Sequence, residues 1–73
     1  MLNKEIVIGS DFITLAKLLK FANVIYSGGQ AKEFLSRATI LINGEPDNRR
    51  GRKLYPNDQI VINNELCLTL KKN

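Results

Sequence analysis

Two short segments in the first half of the chain each carry four apolar residues at positions i, i+3, i+4 and i+7. They are Leu15, Leu18, Leu19 and Ala22 in the first segment, and Ala31, Phe34, Leu35 and Ala38 in the second. This period places the four side chains of each segment on one face of an α-helix. The sequence therefore predicts two short amphipathic helices, each of which must bury its apolar face against another element.

Polar residues suited to capping stand before both predicted helices. Thr14 immediately precedes Leu15, and its hydroxyl can accept a backbone N–H of the first turn. Ser27 is followed three residues later by Gln30, the spacing of a capping box in which the Gln30 side chain reaches back to the Ser27 N–H. The two glycines between them either only form the turn or, with the free N–H groups of the helix start, form an anion site.

The remaining segments have the short alternating pattern of strands separated by turn residues. Strands are predicted over residues 4–8, 39–42, 59–62 and 65–70. Asn43 and Gly44 are a strong tight-turn pair, and Pro46 confines the strand that follows to a sheet edge. In the last strand, Leu68 and the leucines two residues away are predicted to be buried, whereas Cys67 falls on the exposed face.

Composition excludes most catalytic and metal-binding functions. The chain has 73 residues, enough for one domain over residues 1–73, with no histidine and a single cysteine. It therefore lacks the commonest general base and zinc ligand, and it cannot form an internal disulfide. No serine has a histidine to activate it as a nucleophile. We expect no catalytic residue, no metal site, no cofactor and no small-molecule substrate.

The pattern of apolar residues gives an expectation about localisation. No apolar run approaches the roughly 18 residues that cross a bilayer. The first residues lack the long apolar stretch of a secretory signal. The lone cysteine also fits a reducing compartment. These features predict a cytoplasmic protein without a membrane partner.

Positive charge is concentrated in residues 48–53, called the basic loop below. The net charge is +4, from 11 Lys and Arg residues against 7 Asp and Glu residues. The cations of this loop alone carry as much positive charge as the net charge of the whole chain. They are Arg49, Arg50, Arg52 and Lys53. A guanidinium group bonds two phosphate oxygens at once, so the loop is a candidate polyanion site. The alternatives are a solvated loop without a partner and a loop that docks on an acidic protein surface.

Four stretches of the chain together resemble the ribosomal-protein-S4-type RNA-binding domain. They are TLAKLL (14–19), SGGQAK (27–32), ILING (40–44) and PNDQI (56–60). The resemblance covers residues 12–62, which is most of the chain. Residues 44–54 are further similar to the small stand-alone bacterial members of the YaaA and YbcJ type.

Three positions depart from the pattern of that family. Gly28 stands where many members have an arginine, and residues 14–16 are TLA where many have Arg-Leu-Asp. Asn57 replaces the usual glycine before the turn aspartate. Since the missing arginines would contact phosphates, we expect the basic loop to supply those contacts instead.

The resemblance implies an α+β fold, the αL motif, in which two short amphipathic helices pack on a small, mostly antiparallel β-sheet. It also implies a non-catalytic bacterial protein that grips structured RNA, with ribosomal RNA expected during ribosome assembly or maturation. The candidate RNA-binding residues are Lys17, Lys20, Gly29, Gln30, Lys32, Arg37, Arg49, Arg50, Arg52 and Lys53. A protein-interaction module is the main alternative, and an enzyme is the least favoured.

Overall fold

Segments of alternating apolar residues form a five-stranded sheet in the computed structural model, which describes residues 1–73. In chain order the elements are β1 (Leu2–Ile8), β2 (Ile13–Thr14), α1 (Leu15–Phe21), α2 (Ala31–Arg37), β3 (Ile40–Ile42), β4 (Glu45–Pro46), β5 (Lys53–Leu54), β6 (Gln59–Ile62) and β7 (Leu66–Lys72). The strand order is β1-β7-β6-β3-β4, with β1 parallel to β7 and the other neighbours antiparallel. The predicted α+β fold with a mostly antiparallel sheet is confirmed.

Each helix buries the face that the apolar spacing predicted. Leu15, Leu18 and Leu19 of α1 are fully buried, as is Ala31 of α2, and Leu35 is 3% exposed. The predicted cap of α1 is also present, because the N–H of its third residue donates to the hydroxyl of the preceding threonine at 3.4 Å. Each α-helix has seven residues, and no helix is long and apolar enough to cross a membrane.

The buried helix residues share one hydrophobic cluster with one face of the sheet. The strand residues of that face in the cluster are Ile8, Ile40, Ile42, Ile60, Ile62, Leu68 and Leu70. The register aligns them across neighbouring strands, so their side chains point to the same side of the sheet. Burying a large aliphatic side chain contributes about 1.5–3 kcal/mol, so this cluster is what holds the helices on the sheet.

Asparagines in the left-handed region make the tight turns. Asn43 has φ of +52° and Gly44 has φ of +87°, and they join β3 to the edge strand β4, as predicted. Asn57, which replaces the family glycine, has φ of +77°. Asparagine is the residue other than glycine that most readily adopts this conformation, so the turn before β6 is kept despite the replacement.

The prediction that Cys67 lies on an exposed face is wrong. Its side chain is only 9% exposed. The strand β7 lies between β1 and β6, where Asn3 and Val61 flank Cys67 on its two sides. A small side chain on such a central strand is covered by its cross-strand neighbours even where no helix packs on that face.

Three further features were not anticipated from the sequence. The parallel pairing of β1 with β7 is one, and it extends the last strand through Lys72, whose Nζ lies 2.6 Å from Asp11 Oδ1. The second is the two-stranded antiparallel ribbon of β2 and β5. The third is a 3₁₀ turn, Gly28–Gln30, that begins the second helix.

A pair of leucine substitutions tests the position of the core. Leu68→Ala removes a fully buried side chain of β7, and we expect the free energy of unfolding to fall by about 2–5 kcal/mol because a cavity remains. Leu2→Ala makes the same change at a residue that is 68% exposed, and the expected loss is below about 0.5 kcal/mol. Urea unfolding of both variants gives the comparison, and equal losses would contradict this core.

Candidate nucleic-acid interface

The basic loop is fastened to the start of α1 by its own backbone. The Leu15 N–H donates to the Arg52 carbonyl at 2.9 Å, and the Ala16 N–H donates to the Arg50 carbonyl at 3.0 Å. Within the loop, the Arg52 N–H donates to the Arg49 carbonyl at 3.1 Å and closes a tight turn. The first N–H groups of α1 are therefore satisfied by the loop, and the loop in turn has a defined path across the helix end.

Asp47 anchors two of the loop arginines. Its Oδ2 accepts from Arg49 Nη2 at 2.9 Å and from Arg52 Nη1 at 2.7 Å, and its Oδ1 accepts the Arg49 backbone N–H at 2.9 Å. Hydrogen bonds hold the pKa of Asp47 well below its ordinary value. In decreasing order of effect, they come from the Arg49 side chain, the Arg49 backbone N–H and the Arg52 side chain. Each guanidinium has five N–H donors, so both arginines keep donors for a ligand while the carboxylate fixes their positions.

Arg50 is not bound to Asp47 and lines a hollow with residues of the second helix. Together with Lys32, Leu35, Ser36 and Asn48 it lines an open hollow of about 320 Å³, named the Arg50 hollow. Neither Arg50 nor Lys32 makes an ion pair, and no carboxylate lines the hollow. Two predicted site residues from distant parts of the chain thus line one hollow, together with the Asn48 carboxamide and the Ser36 hydroxyl, which donates to the Glu33 carbonyl at 2.7 Å.

The other cations of the basic loop face a second hollow of about 620 Å³, named the Tyr55 hollow. It is lined by Asn43, Arg49, Gly51, Arg52, Lys53, Tyr55 and Asp58. Lys53 also approaches an aromatic ring, with its Nζ 4.9 Å from the centroid of Phe12. The basic loop therefore presents its charge on two sides, with Arg50 on one and the other three cations on the other.

The remaining predicted basic residues line neither the Arg50 hollow nor the Tyr55 hollow. Arg37 Nη2 is 3.6 Å from Glu33 Oε1, and Arg37 lines a different hollow with Tyr26 and Phe34. Lys17 and Lys20 are exposed on α1. The Lys17 Nζ lies 5.9 Å from the centroid of Phe21. The predicted set therefore divides into a group around the basic loop and scattered cations on the helices.

The start of the second helix is closed by its own capping residue. Gln30 Oε1 accepts the Ser27 N–H at 3.1 Å and the Tyr26 N–H at 2.6 Å, which confirms the predicted role of Gln30 in the capping box. Only the NH₂ of this carboxamide remains for a ligand. The space beside Gly29 is open, with the Ser27 Oγ at 3.9 Å from where a Cβ would lie. Contacts of Gly29 and Gln30 with RNA stay predictions.

Acidic residues near the site serve the loops and turns. Asp58 accepts the Tyr55 N–H at 2.8 Å and the Asn43 Nδ2 at 3.0 Å, and Asp47 binds the arginines. No group of three or more Cys, Asp or Glu side chains is placed to hold a metal ion. Sequence reasoning missed Ser36 and Asn48 as site residues, although the i, i+4 spacing of Ser36 from Lys32 was a usable signal.

Comparison with known proteins connects this geometry to a family. The model of the S4 domain matches residues 6–69 of the chain. A Bacillus subtilis (strain 168) protein named "Probable ribosome maturation protein RlbA" is 58% identical over 55 residues, which are 75% of this chain and 78% of that protein. The family match spans both helices, the basic loop and both hollows.

The Asp47 anchor predicts a pH-dependent contribution to stability. We expect Asp47→Asn to lower the free energy of unfolding at pH 7 by roughly 1 kcal/mol, the upper end for a partly exposed ion pair. Because the pKa of Asp47 is depressed in the folded state, its contribution is complete above about pH 5 and is lost as the pH falls below about 4. Urea unfolding at several pH values measures the difference between the wild type and the variant.

Glu45→Gln is the matched control for that measurement. It also removes one carboxylate, but from an exposed residue of β4 that makes no ion pair. Its effect on unfolding is expected to be small. If the Asp47→Asn difference stayed constant from pH 7 to pH 3, the ion pairs would not be its source.

Proposed function

Since this chain belongs to the S4 domain family, we propose that it is a non-catalytic RNA-binding protein that grips structured RNA through the basic loop and α2. In this proposal Lys32 and Arg50 neutralise phosphates of one RNA strand, while Arg49, Arg52 and Lys53 face a neighbouring part of the RNA. Recognition follows the shape and backbone of the RNA more than its base edges, as is usual for helical RNA.

The Arg50 hollow is the observation that carries this proposal. Two cations without ion pairs, from α2 and the basic loop, converge there with the N–H donors of the Asn48 carboxamide, and no acidic side chain opposes them. A phosphate group is recognised by such a combination of positive charge and neutral donors. The backbone bonds to α1 fix the Arg50 backbone before any ligand binds, which lowers the entropic cost of ordering the loop on binding.

The expected RNA is ribosomal. The relative that is 58% identical is named for ribosome maturation, so we propose that this protein acts on ribosomal RNA during assembly or maturation of the ribosome, in the cytoplasm. Binding without catalysis is consistent with a chain that has no histidine and whose Asp47 and Asp58 are engaged in hydrogen bonds of the loops. The proposed partner is thus a ribosomal subunit or its precursor.

Neutral substitutions in the Arg50 hollow test the site. Lys32→Gln and Arg50→Gln each remove one phosphate contact, so each is expected to weaken binding of a structured ribosomal RNA fragment and to reduce the salt dependence. The slope of log Kd against log salt should fall by about 0.7–0.9 for each lost contact. Fluorescence polarisation with a labelled RNA at several salt concentrations gives both the affinity and the slope.

Lys71→Gln is the control, because it removes one charge from an exposed residue of β7 that makes no ion pair. Its slope is expected to equal that of the wild type. If all three variants kept the wild-type slope, the Arg50 hollow would not bind phosphate. Recovery of an acidic protein by the wild type after nuclease treatment, combined with no RNA affinity, would instead favour the protein-interaction alternative.

A further inference from the structure

Two exposed aromatic rings lie side by side at the edge of the Tyr55 hollow. Phe12 is 40% exposed and Tyr55 is 49% exposed, and their ring centroids are 6.2 Å apart with planes tilted by 50°. Single exposed apolar residues need no explanation, but an exposed pair beside a charged hollow is typical of a binding surface. The phosphate contacts proposed above do not involve these two rings.

The small ribbon of β2 and β5 fixes the two rings. Ile13 is aligned with Leu54 in this antiparallel pair, and both are buried in the core. Phe12 precedes Ile13 and Tyr55 follows Leu54, so the rings continue the same register one position beyond the paired residues. The Asp58 carboxylate also accepts the Tyr55 N–H at 2.8 Å. The Tyr55 backbone is therefore held on both sides while half of its side chain stays exposed.

Cations surround the rings on the hollow side. Lys53 Nζ lies over one face of the Phe12 ring, 4.9 Å from its centroid. Arg49 and Arg52 line the same hollow as Tyr55 and are held by Asp47. Counting Asp47 and Asp58, which also lines the hollow, these groups have a net charge of +1, from three cations and two carboxylates. The hollow thus places an aromatic surface next to fixed donors for phosphate oxygens.

We propose that Tyr55, braced by Phe12, stacks on an unpaired base of the bound RNA while Arg49, Arg52 and Lys53 hold the adjoining phosphates. An aromatic ring stacks on any base whose face is free, and bases within a continuous duplex have no free face. The protein therefore selects RNA in which a duplex, held at the Arg50 hollow, is followed by an unpaired nucleotide. This inference rests on the proposed RNA binding and adds the structural class of the target.

Two matched RNAs with identical ends test the proposal: a fully paired, blunt-ended duplex and the same duplex with one unpaired adenosine bulged from its middle. The wild type is expected to bind the bulged duplex about 5- to 140-fold more tightly, the range of stacking on one aromatic side chain. Tyr55→Leu should abolish this preference and leave the affinity for the fully paired duplex unchanged. Tyr55→Phe, which keeps the ring, should retain the preference.

Tyr26→Leu is the matched control, because Tyr26 is the other tyrosine of the chain and is 88% exposed. It should behave as the wild type with both RNAs. In a Tyr26→Phe background, Tyr55 is the sole tyrosine, and its fluorescence should be quenched by the bulged duplex more than by the fully paired one. This readout does not depend on the stability of Tyr55→Leu.

The outcomes separate this inference from the proposed function. Equal wild-type affinity for the two duplexes, with Arg50→Gln weakening both, would overturn the stacking proposal and leave RNA binding intact. An equal loss for both duplexes in Tyr55→Leu, without selective quenching of Tyr55, would also overturn it. If the wild type bound neither duplex nor a structured ribosomal RNA fragment, the proposed function would fail and the stacking proposal with it.

Discussion

The attachment of the basic loop to the first turn of α1 is the constraint on which the site depends. A glycine-containing loop with four cations would repel itself and move freely if nothing held it. Here the Arg50 and Arg52 carbonyls accept the N–H groups that a helix start leaves without partners, and Asp47 binds two guanidinium groups from beside the loop. One set of contacts thus completes the helix and orders the cations.

That attachment also explains why the positive charge of the basic loop is divided between the Arg50 hollow and the Tyr55 hollow. Arg50 lines the Arg50 hollow with Lys32 of α2, whereas Arg49 and Arg52, which are bound to Asp47, line the Tyr55 hollow. The carboxylate lowers the total positive charge by one but converts flexible side chains into positioned ones. For recognition of a rigid polyanion, the positions of the charges matter as much as their number, because ordering long side chains on binding costs free energy.

The sequence predicted the elements better than their contacts. Apolar spacing located both helices, and Asn43 with Gly44 located a hairpin, because these are local rules of geometry. The parallel pairing of β1 with β7 and the burial of Cys67 depend on strands far apart in the chain, and no local pattern encodes them. The charge run identified the basic loop, but its division between two hollows follows from hydrogen bonds that only the folded chain makes.

The central claim is that structured RNA meets this protein at the Arg50 hollow and the basic loop. A titration of the isotope-labelled protein with a structured ribosomal RNA fragment, followed by NMR of backbone amides and arginine side chains, tests it most directly. The account predicts the largest chemical-shift changes at Lys32, Ser36 and residues 48–53, and little change on the sheet face opposite the helices. Largest changes around Val61 and Cys67 on that opposite face would contradict it.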